Sequence, residues 1–388
     1  MKVTISIGGP FPTPYRLAEF LEQRGCLERI ISPMPRFRLG ATTLAKQKLV
    51  TLPLYGYLNY GLSKLPYFKG VTPRQYWFSE MFDHSAAGHL GDCDLFNGWC
   101  STALHTMRRA KAQGAVTVLQ TGSAHIMFQK ELMEAEYAKF GIRRRVTDPR
   151  IVAKGIQEYA EADYIVVPSS FIRNTLIARG VSAAKITIVQ DAVTRVFRTE
   201  PKRHKIFRVI CVGRVEIRKG IPYLLEAFHR LHLPNSELVL VGGIQDEMRP
   251  ILKQYAGSFR SFGWARDNQL AGLFSQSSVF VLPSVEDGWG HVTLEAMSCG
   301  LPAIVSANAG SADTVQRGVN GFVVPACNAQ ALMEKLEYLY NNPDLCQAMG
   351  RQAQELVKER TWEAYGQQME DLFASLLNKR SSTPDVQQ

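Results

Sequence analysis

Short apolar runs alternate with helical patterns along most of the chain. VTISIG (residues 3–8) reads as a strand, and RLAEFLEQRG after it reads as a helix closed by Gly25 at the C′ position. AVTVLQTG (115–122), ADYIVVPSS (162–170) and KITIVQDAV (185–193) predict further strands, the first two followed by helix-forming sequence. The pattern restarts with FRVICVGR (207–214) and a helix from Ile221, with Pro222 in its first turn and Leu224, Leu225 and Phe228 on one face. SELVLVGG, SSVFVLPS, LPAIVS and GFVVPA supply four more strands. Strand–helix alternation on both sides of about residue 200 predicts an α/β chain of two doubly wound parallel-sheet domains. The expected domains are 1–195 and 203–360, hinged at the basic VTRVFRTEPKRHK, with 361–380 a C-terminal helix returning to the first domain.

One segment breaks the alternation. LVTLPLYGYLNYGLSKLPYFKG (49–70) mixes four tyrosines, glycines, prolines and spaced lysines without a clean period. It reads either as a surface loop or as a contact for a membrane–water interface, which tyrosine and lysine together suit. The tail SSTPDVQQ has a disordered composition.

Composition narrows the class. A chain of 388 residues exceeds what one core usually organises, and 46% hydrophobic with 21% charged residues is ordinary for a globular protein. No apolar run reaches the roughly 18 residues of a membrane span, and the N-terminus, with its single lysine, reads as a strand and not a signal peptide. Seven scattered cysteines with no CxxC pair point to a reducing cytoplasm and away from a zinc site. The net charge of +10 lies wholly in the first 200 residues, which hold 26 Lys and Arg against 16 Asp and Glu, while the rest of the chain holds 19 of each. The excess suits an acidic acceptor, an anionic phospholipid surface or a nucleic acid, or is merely a solvated basic face.

Ligands of open parallel sheets sit beyond the carboxyl ends of the strands. Three loops of the second half lie at such ends. In RVEIRKG, Arg214 and Lys219 precede a helix whose dipole opposes them; a pyrophosphate between cations and helix amides would account for their placement, where the plain alternative is two solvated basic residues. In SFGWARD, Phe262 to Ala265 would offer backbone groups and a ring edge to a nucleobase, although Trp264 suits a core equally well. In PSVEDGWGHVTLEAMSCGLP (283–302), Gly288 and Gly290 let backbone approach a ligand. A helix from about Val292, ended by Gly300 and Pro302, then aims N–H groups at it. Asp287 and Glu295, eight residues apart, would flank a diphosphate and bind sugar hydroxyls on either side. A nucleotide-sugar has that order: ribose, pyrophosphate, hexose.

These stretches resemble the retaining glycosyltransferases of family 4, the glycosyl transferases group 1, of GT-B fold. The family motif sets two glutamates separated by seven residues around a Gly-aromatic-Gly turn, followed by LEAM-x-x-G-x-P; here the chain reads D-GWG-HVTL-EAMSCGLP. VGRVEIRKG resembles the phosphate loop, FGWARDNQLAGLFSQSSVFVLPS the base-binding region, and GSADTVQRGVNGFVV the strand-turn element downstream. The likeness runs from about Val116 to Trp362, and the first 110 residues share only the architecture. The resemblance implies two Rossmann-like domains facing a cleft. It gives Arg214 and Lys219 the diphosphate, Glu295 the ribose and Asp287 the donor hexose. Gly213, Trp264, Gly288, Trp289, Gly290 and His291 complete the donor side, Gly8 and Gly9 face the acceptor, and His125 lies near the donor sugar. His125, Arg214, Lys219 and Asp287 are the catalytic candidates. The chain departs from the family in three places. Asp287 replaces glutamate beside Glu286, which offers a second register. Asp191-Ala192-Val193-Thr194 replaces Asn-Gly-Val-Asp, and TGSA separates His125 from its strand, leaving a structural histidine as the other reading.

The implied reaction moves a hexose from a uridine- or guanosine-linked diphosphate sugar to a hydroxyl of a glycan, lipid or small molecule, with retained configuration. Stabilising the departing diphosphate falls to Arg214, Lys219 and helix amides, so no metal and no cofactor is expected. No isolated acid on the acceptor side offers itself as a nucleophile, and the resemblance favours front-face attack with a diphosphate oxygen as base. Domain closure would exclude water. Three rivals remain. An epimerase of the same fold needs cleft acids or bases, and the first half offers only His125. A nucleic-acid-binding protein is disfavoured because RRR at 143–145 is the sole dense basic cluster and no stacking platform accompanies it. A non-catalytic GT-B subunit is disfavoured by Arg214, Lys219 and Glu295. The expected location is cytoplasmic, with a peripheral contact on an anionic membrane face.

Overall fold

The computed structural model describes residues 1–38, 42–62, 73–197 and 206–382. The parts of the tyrosine-rich stretch beyond Leu62, of the hinge beyond Phe197 and of the tail beyond Ser382 lie outside them. Two units separate by their internal contacts. One holds the chain to Pro168, Arg173–Gln190 and the part from Trp362 onward; the other holds Ser169–Ile172 and Asp191–Thr361.

The first unit is built on seven strands: β1 (Val3–Ser6), β2 (Leu27–Ser32), β3 (Leu49–Thr51), β4 (Leu95–Trp99), β5 (Val116–Gln120), β6 (Tyr164–Val167) and β7 (Ile186–Ile188). All pair in parallel, in the order β3-β2-β1-β4-β5-β6-β7. The crossovers are α1 (Pro12–Gln23), α2 (Pro53–Leu62), α3 (Pro73–Gly88), α4 (Leu104–Ala112), α5 (Ile126–Lys139), α6 (Pro149–Glu161) and α7 (Ser170–Ile177). α1 stops as its sequence requires: Gly25 takes φ +72°, and the amide of Cys26 reaches back to the Leu21 carbonyl. Every residue of β1 and β5 is buried, as a strand covered on both faces demands.

The second unit has six parallel strands: β8 (Phe207–Val212), β9 (Ser236–Val241), β10 (Arg260–Gly263), β11 (Val279–Leu282), β12 (Ala303–Ser306) and β13 (Gly321–Val324). Their order is β10-β9-β8-β11-β12-β13. The intervening helices are α8 (Ile221–Leu231), α9 (Arg249–Gln254), α10 (Asp267–Ser275), α11 (His291–Ser298), α12 (Ala329–Asn341) and α13 (Pro343–Lys358). A last helix, α14 (Trp362–Ser382), belongs to the first unit and crosses α1 at Gly366, where a Cβ would come 2.3 Å from the Phe20 ring.

In each sheet the chain moves outward on one side of its first strand and then restarts on the other. The switch points fall between β1 and β4 and between β8 and β11. Loops leaving those strands diverge and open a crevice at the carboxyl edge. In the second unit that edge carries the RVEIRKG and PSVEDGWG loops.

The doubly wound architecture agrees with the expectation from sequence, but four strands were not foreseen. β2 carries Glu28 and Arg29, β3 has only three residues, β4 holds Asn97 and Gly98 inside it, and β10 begins with exposed Arg260 and Ser261. Each hides its apolar signal. The tyrosine-rich stretch also differs from an irregular loop, since its residues Pro53–Leu62 form α2.

Candidate functional site

The site in the second unit starts from a close approach of two loops. After β8 a 3-10 turn (Ile217–Lys219) ends at Gly220, at φ +68°. A Cβ on Gly220 would lie 1.9 Å from the Pro283 carbonyl oxygen, so only glycine lets the two loops touch. The Val285 amide then donates to the Arg218 carbonyl at 2.9 Å. This contact sets two ion pairs side by side. Lys219 Nζ donates to Asp287 Oδ2. Arg218 grips Glu286 through Nη2 at 2.6 Å and Nε at 2.8 Å. Burial would raise the Asp287 carboxyl, but Lys219 and Arg218 outweigh it and hold it below the ordinary range. Glu286 is fully buried under Arg218, which leaves Asp287 as the acid on the Lys219 side.

The glycine turn is fixed from behind by backbone. Asp287 donates its amide to Asn308 and accepts from Gly310, both at 2.9 Å, and Ser311 donates to the Trp289 carbonyl at 2.6 Å. Ser169 Oγ donates to the Gly288 carbonyl at 3.1 Å. Gly290 sits at φ +81° as the N-cap of α11, with no side-chain cap on the helix. The helix therefore opens one residue earlier than expected, at His291. His291 Nε2 lies 3.3 Å from Asp191, and its Nδ1 is buried with no hydrogen-bond partner among the described residues.

One turn on, Glu295 is almost buried and lies 3.3 Å from Arg195 Nε, whose Nη1 donates to Asp267 at 2.5 Å. Burial raises the Glu295 carboxyl, with Arg195 and His291 partly opposing it. Trp264 is 78% exposed and lies against Gly243, so it is not a core residue. Trp289 differs: its ring is buried in the hydrophobic core with Leu294 and Met297. Arg214, after Gly213 at φ +144°, is half exposed and holds Glu216 at 3.1 Å; it does not join the Lys219–Asp287 pair.

The candidates in the first unit form their own group. His125 caps α5, its Nδ1 accepting from the Met127 amide at 3.2 Å, and its ring lies 5.0 Å from that of Tyr159. Burial first, then Arg179, pulls the imidazole down to about 4, so it is neutral with its proton on Nε2. The loop after β1 is tight: a Cβ on Gly8 would meet Thr102 at 2.4 Å, and one on Gly9 would meet Phe11 at 2.8 Å. Glu158, which the sequence does not single out, is fully buried and accepts the amides of Ser101 and Ala103, fixing the loop after β4. Burial pushes its carboxyl up to about 7. The chain does contain one Asp-x-Asp stretch, Asp92-Cys93-Asp94. That stretch precedes β4 at the amino edge of the sheet, where Asp92 pairs with Lys2 and Asp94 accepts the Lys2 amide. The carboxyl edge is where ligands bind in such sheets.

Two doubly wound parallel sheets, with cations, acids and a glycine turn at the switch point of the second, have the architecture of the GT-B fold. Residues 193–356 match the model of the glycosyl transferases group 1. Among similar proteins are the sulfoquinovosyl transferase SQD2 of Arabidopsis thaliana, 26% identical over 52% of this chain and 42% of that protein, and an alpha-maltose-1-phosphate synthase of Mycobacterium tuberculosis, 30% identical over 42% and 46%. The chain spans about half the length of the curated relatives it matches. Among solved structures, sucrose-phosphate synthase from Thermosynechococcus elongatus aligns with TM-score 0.70 at 20% identity, over 98% of this chain and all of that one. HepE of Anabaena aligns with TM-score 0.65 at 15% identity, over 97% and 100%. At these identities the likeness is one of fold.

Proposed function

We propose that the chain is a retaining hexosyltransferase of the family 4 type, taking its sugar from a nucleoside diphosphate donor. The observation that carries this reading is the Lys219–Asp287 pair beside the glycine turn that opens α11. Lys219 and the first amides of α11 would take the diphosphate, with Arg214 as the second cation from its half-exposed position. Asp287 would bind a hexose hydroxyl, Glu295 the ribose hydroxyls, and exposed Trp264 the base. Charge developing on the leaving diphosphate is met by these cations and amides without a metal. The acceptor oxygen bonds to the anomeric carbon as the carbon–diphosphate bond breaks on the same face, and the acceptor proton passes to a diphosphate oxygen. Uridine diphosphate glucose is the first donor to try, because HepE of the same fold was crystallised with it. Incubation with this donor and a panel of hydroxyl acceptors, followed by NMR of the product, tests the reading. An α-linked product supports it, and a β-linked product overturns retention.

The neutral, helix-capping His125 fits support of its loop at least as well as proton transfer, so this reading gives it no proton to move. Gly8 and Gly9 are assigned to the acceptor side because they open the switch point of the first sheet. The acceptor class is a glycan, lipid or small molecule bearing a hydroxyl.

A peripheral contact with anionic lipid follows from α2. Leu54, Tyr57 and Leu58, spaced for one helix face, are all exposed, in the half of the chain that carries the whole positive excess. No helix among the described residues is long and apolar enough to cross a membrane. Sedimentation with phosphatidylserine vesicles should show binding that falls with salt and weakens on Leu54→Ser with Leu58→Ser; no binding at low salt removes the contact.

A further inference from the structure

We propose that Glu80, His84 and His105 form a binding site for one divalent transition-metal ion of the zinc type, pinning α3 to α4. Glu80 and His84 are four residues apart on α3 and share a face; His105 is the second residue of α4. His105 Nε2 lies 2.9 Å from Glu80 Oε2, His84 Nε2 lies 3.9 Å from the same oxygen, and the ligating atoms are all within 4.8 Å of one another. Tetrahedral bonds of about 2.0–2.1 Å place donor atoms about 3.3 Å apart, between the two distances observed. The ion would take the place now held by the hydrogen bond between His105 and Glu80, and the His84 and His105 rings, now stacked at 3.7 Å, would turn apart to aim their nitrogens at it.

The surroundings orient the carboxylate and set its charge. Lys154 Nζ lies 2.9 Å from Glu80 Oε1 and 2.8 Å from Asp83 Oδ2, which leaves Glu80 Oε2 turned to the histidines. Two carboxylates against one ammonium leave one negative charge at the cluster. Asp83, fully buried, also accepts the His105 amide at 2.9 Å and the Thr106 amide at 3.0 Å, fixing the start of α4 against α3. The His84 side chain is 64% exposed, so water completes the coordination. Two imidazoles and one carboxylate suit zinc, cobalt, nickel or copper, and do not suit magnesium or calcium. The cysteine pattern argued against zinc, but this site uses no cysteine, and its residues belong to the first unit while the donor-binding loops belong to the second.

The test uses the full chain, tag-free and stripped with a chelator, titrated with cobalt(II). One equivalent should bind, with visible absorption of a low-coordinate nitrogen–oxygen site and no thiolate charge transfer; zinc should bleach it, and magnesium should not. His84→Ala and His105→Ala should each weaken zinc binding tenfold or more by calorimetry, and zinc should raise the melting temperature of the wild type but not of His84→Ala. His84 is exposed, so this variant keeps its fold, and circular dichroism checks it. Absence of a stoichiometric cobalt spectrum, thiolate charge transfer, or unchanged zinc affinity in both variants would overturn the site.

Discussion

Lys219 Nζ donates directly to Asp287 Oδ2, with both side chains mostly buried where the loops after β8 and β11 meet. A buried pair of this kind is costly to break from one side. Lys219→Ala leaves the buried Asp287 carboxylate without its direct partner, with Arg218 still favouring its charge, and should lower stability by about 3 kcal/mol; Lys219→Met with Asp287→Asn should recover most of that loss. Urea denaturation of the single and double variants checks it. Equal losses in both would show that the pair is not coupled.

Gly220 and Gly25 separate two costs of positive φ. Both lie near φ +70°, yet an added Cβ at Gly25 meets nothing within 4 Å while one at Gly220 strikes the Pro283 carbonyl. Gly25→Ala should cost about 1 kcal/mol, the conformational penalty alone, and Gly220→Ala at least about 3 kcal/mol. Thermal melts that place the two variants together would remove the close approach from the account.

Glu295 has its own signature. If its carboxylate takes ribose hydroxyls, uridine diphosphate should bind roughly tenfold more tightly than its 2′-deoxy analogue, and Glu295→Gln should erase most of that difference. Competition calorimetry reads both. Equal affinities in the wild type would take the ribose away from Glu295.

Glu158 should show in the pH dependence of stability. Its carboxyl titrates at about 7 in the fold against an ordinary 4.5, so across that window the folded state keeps a proton that the unfolded chain has released. Raising the pH through the window therefore lowers stability, by up to about 3 kcal/mol from this group alone. Glu158→Gln cannot accept both loop amides through its single oxygen, so it should be less stable than the wild type at pH 5. The gap should narrow toward pH 8. A gap that stays constant or widens contradicts the assignment.

What could be read ahead of the structure follows from where the signal sits. The glycine turn, Asp287 and Glu295 lie within one short stretch, and Gly290 does take the left-handed conformation that such a turn needs. Strand β11 is a continuous apolar run and β1, β5 and β8 are mostly apolar, and they were legible for that reason. Arg218–Glu286 was not: Glu286 looks like one more acid beside Asp287, and only the fold shows it fully buried under a guanidinium. Trp264 was ambiguous because a ring beside a glycine suits a core or a ligand equally, and only the fold shows it exposed. The network of Glu80, Asp83, Lys154 and Glu158 spans α3 and α6, and no local pattern announces residues that meet only through tertiary packing.

Calorimetric titration of uridine diphosphate glucose into the chelator-treated wild type and the Arg214→Ala, Lys219→Ala and Glu295→Gln variants bears most directly on donor binding in the second unit. The account predicts one site per chain without added metal, weakened by roughly tenfold to a hundredfold in Lys219→Ala and less in Arg214→Ala. Wild-type affinity retained in all three variants, or binding that requires a divalent ion, would contradict it.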